Sequence, residues 1–303
     1  MNNSPIVRID FTVGFGNNLF QFVYGKLLAE KINAEIYILP PNGEYFGINS
    51  LDLLTNEADS SINVITNFQT MGEIFTNNLP ISHISTEQDA KNILQNPENK
   101  NYVLDGYFED YTLYENDLEK IRSWFLIPDE KNEEDAILHL RLGDRLFFNA
   151  TYTPEALLTF ERYQNGLSKL NFNKLNIVSD LPVKAINANG KVTPEDLLNF
   201  EYHTTLVDDS EEMAKKAADY VNELIEKFSS TYKINLWNQG LDRDFQRIMH
   251  HDKILFGYST FAWWAAALSG ASKVGVFEPW RPWKRENNKN LGKTSYKGWF
   301  GWS

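Results

Sequence analysis

The 303-residue chain contains no cysteine. That excludes disulfides, thiolate catalysis and cysteine-based zinc sites, although the absence does not decide a compartment. Nor is there an apolar run approaching the length of a bilayer span, so no membrane span is expected. Positive charge is in deficit: 29 Lys and Arg stand against 41 Asp and Glu, a formal net charge of −12. A duplex nucleic-acid partner is excluded on that count, because such binders need a cationic face to displace counterions. The polar start, Met1 to Ser4, leads straight into Ile6-Val7-Arg8-Ile9-Asp10-Phe11 with no basic segment before it. It reads as a strand rather than a signal peptide, and a soluble, cytoplasmic protein is expected.

What is present is the composition of a globular protein, 42% hydrophobic and 23% charged, long enough for two domains. Strand-like and helix-like stretches alternate, which predicts an α/β fold with mainly parallel sheets. Apolar residues at Phe20, Val23, Leu27 and Leu28 predict a helix over Asn17 to Lys31, and Glu35 to Leu39 reads as a strand. Pro40-Pro41-Asn42-Gly43 breaks the pattern, and a less periodic region follows to about Ser82. Ser85 or Thr86 caps a helix reaching Leu94, with Gln88 or Asp89 placed to close a capping box. Tyr102 to Leu104 reads as a strand and Tyr111 to Phe125 as a helix.

The polar stretch Pro128 to Asp135 is the best candidate linker. Beyond it the pattern predicts a strand ending at His139, a helix from Pro154 to Tyr163, a strand at Leu175 to Val178 and a helix from Ser210 to Phe228. A strand at Ile254 to Phe256, a helix from Thr260 to Leu268 and a strand at Lys273 to Phe277 follow. Two Rossmann-like domains facing a central cleft are expected: residues 1–130, residues 131–284, and an aromatic, basic tail over 285–303. From Arg281 to Ser303 there are six basic residues against one acidic, and four of the eight tryptophans lie between Trp280 and Trp302. Such a tail can face anions or a lipid surface, or pack its rings against the body.

Three segments carry chemistry. Ala136-Ile137-Leu138 runs into His139-Leu140-Arg141-Leu142-Gly143-Asp144, so a strand ends in a histidine, an arginine, a glycine and an aspartate. In open α/β sheets ligands bind outside the carboxyl ends of strands, and a guanidinium presents a planar fork of donors suited to phosphate. A nucleoside diphosphate is the ligand this suggests; an ion pair of Arg141 with Asp144 beside a turn at Gly143 is the alternative. Ser259-Thr260-Phe261 opens a helix directly after a strand, where amides, hydroxyls and the helix dipole favour an anion. Gly14-Phe15-Gly16-Asn17-Asn18 links the first strand to the first helix but lacks the third glycine of a dinucleotide fingerprint. It can be a plain turn or a place where a sugar approaches the backbone. Asp242-Arg243-Asp244 has the spacing of a metal-binding pair, yet acidic residues in a helix's first turn account for it. His250 and His251 are adjacent and point apart, so no metal is expected.

Taken in order, Gly14 to Gln21, Gly106-Tyr107-Phe108, His139 to Asp144, Ser179-Asp180 and Ser259 to Ala266 resemble the α-1,2-fucosyltransferase family. Its pattern runs Gly-x-Gly-Asn-Gln-x-Phe-Gln, His-x-Arg-Arg-Gly-Asp, Ser-Asp-Asp and Ser-Thr-Phe-Ser-Trp-Trp-Ala. The resemblance implies a GT-B-type, metal-independent, inverting transferase without a cofactor, moving L-fucose from GDP-fucose to a sugar hydroxyl of a glycan. By that likeness Arg141 holds the diphosphate and assists its departure, and Asp144 helps to shape the pocket; a carboxylate takes the hydroxyl proton, and of Asp144, Asp10, Glu109 and Asp110, all near predicted strand ends, Asp144 is the candidate base. His139, Ser179, Asp180, Ser259, Thr260 and Phe261 line the donor, while Gly14, Gly16, Asn17 and Asn18 face the acceptor. The chain departs from the pattern at Asn18, Leu142, Leu181 and Tyr258. Two alternatives therefore stay open: a different nucleotide sugar, and a module that binds glycan or nucleotide without turnover. The acceptor and the oligomeric state are not read from these residues.

Overall fold

Each half of the chain builds one parallel sheet around its own first strand. The computed structural model describes residues 4–12, 14–39, 62–64, 74–75, 77–147, 157–180, 191–198, 210–278 and 298–303, Asp144 by its backbone alone. The chain divides into two compact units, one reaching Leu126 and the other beginning at Ile127.

In the first unit, β1 (Ile6–Asp10), β2 (Glu35–Leu39), β3 (Ile62–Val64), β4 (Ile81–Ile84) and β5 (Asn101–Leu104) form a sheet in the order β3-β2-β1-β5-β4. All its pairings are parallel. Helix α1 (Phe15–Ile32) follows β1 and is buried on nearly every side, with Phe20, Phe22, Val23 and Tyr24 in the core. The predicted apolar stripe is only part of what this helix buries. Helix α2 (Glu87–Gln95) starts at Thr86, whose Oγ1 accepts the Asp89 amide, as the capping-box pattern requires.

Between Tyr111 and Phe125 the structure departs from the expected single helix. A 3-10 turn, Tyr111–Leu113, is followed by a short helix α3 (Leu118–Ser123). Asp110 accepts the Thr112 amide through its side chain and so closes a turn of its own. Tyr111, Leu113, Leu118 and Ile121 are still buried, which is the burial that the helical spacing reflected.

The second sheet runs β11-β10-β9-β6-β7-β8, again wholly parallel. Its strands are β6 (Asn132–Leu140), β7 (Leu175–Ser179), β8 (Ile234–Trp237), β9 (His251–Phe256), β10 (Lys273–Phe277) and β11 (Phe300–Trp302). The inner ones are near-continuous apolar runs, as strands covered on both faces must be. β6 begins inside the stretch expected as linker. Its first residues project from the amino end of the sheet into solvent and so can be acidic, with Asn132 Oδ1 accepting the Glu134 and Asp135 amides.

Helices α4 (Phe160–Leu167), α5 (Pro194–Leu198), α6 (Glu211–Thr231), α7 (Leu241–Met249) and α8 (Thr260–Ser269) complete this unit. Helix α4 is capped at Thr159 and starts six residues later than expected; residues 151–156 lie outside the described residues. The last strand draws the end of the expected tail into the sheet. Trp302 is buried against Phe277 and Tyr163, with ring centroids 4.8 and 5.6 Å away. Residues 279–297, which hold the tail's basic residues, lie outside the described residues.

Both sheets reverse their strand order beside their first strand. From β1 the chain steps to β2 and β3 on one side, then crosses to β4 at the opposite edge and back to β5 beside β1. From β6 it steps to β7 and β8, then returns to β9. Such switch points leave a crevice at the carboxyl ends of the flanking strands. In the first unit Gln21 of α1 ties that crevice together. Its Nε2 donates to the carbonyls of Asp10 (3.0 Å) and Gly106 (2.9 Å), and its Oε1 accepts the Thr12 amide (3.1 Å). Replacing Gln21 with alanine orphans two carbonyls and an amide in a buried site, so an equilibrium urea titration should show a loss of about 2–5 kcal/mol. A loss under about 1 kcal/mol would mean that water replaces the amide group.

Candidate functional site

The second switch point gathers most of the sequence-predicted site residues. β6, β7 and β9 are adjacent and in parallel register, with Leu140 opposite Ser179 and His139 opposite Phe256. Hence Arg141, Asp180 and the segment Gly257 to Phe261 all emerge at one edge of the sheet. Ring contact confirms the convergence: the His139 ring lies 5.6 Å from that of Phe261, which meets Phe245 of α7 edge-on at 5.2 Å.

Arg141 is paired with Asp180. The guanidinium Nη1 donates to Asp180 Oδ2, while Asp180 Oδ1 accepts the amides of Leu142 (2.8 Å) and Gly143 (3.0 Å). One carboxylate thus binds a cation and two backbone donors at the start of the 3-10 turn Gly143–Phe147. Asp180, expected among the donor ligands, orients the arginine and the turn. Arg141 nevertheless keeps 37% of its side-chain surface exposed. A Cβ at Gly143 would stand 2.6 Å from Asp180 Oδ2 and 3.3 Å from Arg141 Nη1, so any larger residue would displace the Asp180 carboxylate. The side chain of Asp144 lies outside the described residues.

His139 is buried on β6, and its Nδ1 has no hydrogen-bond partner among the described residues. Burial pushes its pKa down to about 4; Asp180 pulls it up and Arg141 pulls it down, both weakly by comparison. The imidazole is therefore neutral near pH 7 and forms a polarisable wall rather than a second cation. Ser259 caps α8, its Oγ accepting the Ala262 amide at 3.2 Å. Thr260 and Phe261 are half-buried in the first turn, which puts the positive end of the helix dipole at the same edge as Arg141. Ser179 is buried at the end of β7.

The departures from the family pattern have physical counterparts. Leu142 and Tyr258 are both packed in the hydrophobic core of the second unit, the Tyr258 ring edge-on to Phe277 at 5.0 Å. The position of a second arginine is thus a core position in this fold. Leu181 lies outside the described residues.

In the first unit, Gly14 makes the turn at φ 95° and caps α1, whereas Gly16, Asn17 and Asn18 belong to the first turn of that helix. Asn18 is buried and Asn17 half-buried. Of the other carboxylates near strand ends, Asp10 is held by Arg8 through both oxygens at 2.7 Å, and Asp110 by Lys91 and Thr112. Asp244 accepts the Gln239 amide on both oxygens at 3.1 Å, closing the turn before α7. His251 uses both ring nitrogens, Nδ1 towards the Arg247 carbonyl at 2.8 Å and Nε2 towards Asn176 Nδ2 at 3.1 Å. Among the described residues no cluster of three or more metal-ligating side chains is assembled. None of them forms a helix long and apolar enough to cross a membrane.

Sequence reasoning placed Arg141 and Ser259 at one site but missed the Asp180 clamp, since nothing local to residues 141–143 announces a partner 39 positions away.

The His139 pKa has a consequence for acid stability. The unfolded chain binds a proton on this histidine near pH 6.5, whereas the native state resists it down to about 4. Stability is therefore complete above about pH 6.5 and falls as pH drops towards 4, by at most about 1.4 kcal/mol per pH unit. His251, also pushed down by burial, adds in the same direction. Thermal unfolding between pH 7 and 4.5 should show a steeper loss of Tm in the wild type than in His139→Asn; parallel curves would show that His139 is not buried neutral.

No protein-family model and no characterised protein sequence matches the chain. Several solved structures are similar in backbone. The α-1,6-fucosyltransferase NodZ, in a crystal soaked with GDP-fucose, is 11% identical with a TM-score of 0.48, covering 91% of this chain and 96% of its own. FUT1 of Arabidopsis thaliana in complex with GDP is 11% identical with a TM-score of 0.45, covering 90% and 70%. A glycosyl transferase family 9 protein of Veillonella parvula is 10% identical with a TM-score of 0.45, covering 99% and 87%.

Proposed function

We propose that the chain is a cytoplasmic, inverting glycosyltransferase that needs no metal, transferring L-fucose from GDP-fucose to a sugar hydroxyl. In this reading the second unit binds the nucleotide sugar and the first presents the acceptor. One observation carries it: Arg141, oriented by Asp180, stands at the switch point of the second sheet on the same edge as the Ser259-capped start of α8.

A diphosphate brought to this edge meets a partly exposed guanidinium and the positive end of a helix dipole, neither of which has to reorganise. An acceptor hydroxyl attacks the anomeric carbon. The bond from that carbon to the phosphate oxygen breaks, configuration inverts, and GDP departs carrying the electron pair. Charge grows on the diphosphate as the bond lengthens, so donors fixed there stabilise the transition state more than the ground state. The hydroxyl proton passes to a carboxylate. Asp10 and Asp110 are engaged by cations, and Asp144 is the base this reading adopts.

The core placement of Leu142 favours a second reading. With a buried leucine where the family pattern has a second arginine, the scaffold holds a different nucleotide sugar, or holds nucleotide or glycan without turnover.

Two measurements separate these. In thermal unfolding with GDP, UDP, ADP and TDP, GDP should protect most, by about 2.7 kcal/mol at a hundred times its Kd. Replacing Arg141 with alanine should then lower the rate of GDP release from GDP-fucose at least about a hundredfold, the effect of losing one preorganised donor. A near-wild-type rate removes Arg141 from the mechanism, and protection by GDP without any turnover selects the binding module.

A further inference from the structure

The motif Gly106-Tyr107-Phe108 belongs to the first unit, which invests heavily in its shape. Tyr107 is 42% exposed and is the sole aromatic among the exposed large hydrophobic side chains of the described residues. Both its neighbours are locked into the interior. The Gly106 carbonyl accepts from Gln21, and a Cβ at Gly106 would stand 2.7 Å from the Ser85 carbonyl oxygen. Phe108 is fully buried, stacked on Tyr24 at 4.4 Å and 18°, and its carbonyl accepts the Tyr114 hydroxyl at 2.6 Å. It holds these contacts at φ 54°, a left-handed backbone that a bulky aromatic residue rarely adopts. Strain of this kind persists only where the surroundings over-determine it, and it gathers at ligand sites.

The place is equally specific. Tyr107 leaves the carboxyl end of β5, which flanks β1 at the switch point of the first sheet. Two residues before it, the Asp105 carboxylate is oriented at the ends of β4 and β5: Ser85 Oγ donates to its Oδ1 at 2.5 Å, and His83 Nδ1 lies 3.5 Å from its Oδ2. The Asp105 side chain stays 40% exposed. An exposed aromatic side chain held between two fixed neighbours, two residues from an oriented, accessible carboxylate, fits a ligand with an apolar C–H face and hydroxyls on its rim. The negative face of the ring attracts the C–H patch, and the carboxylate accepts from the hydroxyls. That ligand is a pyranose.

We propose that Tyr107 is the stacking platform for a sugar ring of the acceptor glycan, with Asp105 accepting from its hydroxyls; identification of that sugar as the acceptor rests on the glycosyltransferase reading above. The test is saturation-transfer NMR on the full chain with methyl glycosides of galactose, glucose, N-acetylglucosamine and mannose. At least one of them should receive saturation from tyrosine ring resonances in the wild type and in Tyr107→Phe. Its affinity should fall at least about tenfold in Tyr107→Ala, and stay unchanged when Ile81, another exposed apolar residue of the same unit, is replaced by alanine. Tyr107→Ala should keep the wild-type far-UV circular dichroism spectrum and a cooperative melt, which separates loss of the ring from loss of the fold. Equal affinity in Tyr107→Ala overturns the proposal, as does a panel in which no glycoside touches an aromatic resonance. Wild-type protection by GDP is the separate arm. Glycoside binding that depends on Tyr107 without GDP protection leaves the platform standing and removes the donor reading, and the reverse result removes the platform alone.

Discussion

The geometry of the second unit's ligand edge depends on one carboxylate. Asp180 neutralises Arg141 and satisfies two backbone amides that would otherwise point into the crevice. It exists as a clamp only because β6 and β7 pair with Leu140 opposite Ser179. A slip of one residue would carry Asp180 out of reach and turn the alternate residues of β7 to the wrong face. The site is therefore a property of sheet register first and of individual side chains second.

The two units solve the same problem with different chemistry. Each has a switch point beside its first strand, and there chain segments with no hydrogen bonding between strands must still be fixed. The first unit uses a neutral amide, Gln21, which can donate and accept at once and so bridges two carbonyls and an amide. The second uses an acid and a base. The difference suits their proposed roles, since a diphosphate needs a cation already aimed, whereas sugar hydroxyls do not. It also explains why neutral His139 sits beside Arg141. A second fixed charge there, buried as deeply, would have to be desolvated without a partner of its own.

Much of the fold could be read from local pattern. The apolar runs over β1, β2, β7, β9 and β10 gave their strands, and Thr86, Ser259 and Gly270 act as the caps that their chemistry predicts. What escaped was short, half-exposed or non-local. β4 and β8 are four-residue strands at sheet edges, too brief for periodicity to separate from loop. The region from Tyr111 to Phe125 has helical spacing but divides into a 3-10 turn and a short helix, so propensity and burial pointed to a continuity that hydrogen bonding does not keep. At the site, Arg141 and Ser259 were legible because strand ends and helix starts concentrate function. Asp180 as a clamp, and the buried placement of Asn18, Leu142 and Tyr258, were not, because burial is decided by elements far away in the chain.

The central position of β1 and β6 also shapes how the molecule is made. β1 is complete when its tenth residue is in place, but its partner across the switch point is β5, and the bond from Ile6 to Asn101 spans 95 residues. In the second sheet, β6 likewise waits for β9, with contacts between them reaching across 120 residues. Loop-closure entropy must be met before such pairings return anything, so low-contact-order pairs such as β6 with β7 form ahead of them. In each unit the crevice proposed to hold ligand is thus the seam that closes last, and binding competence arrives with the final step of folding.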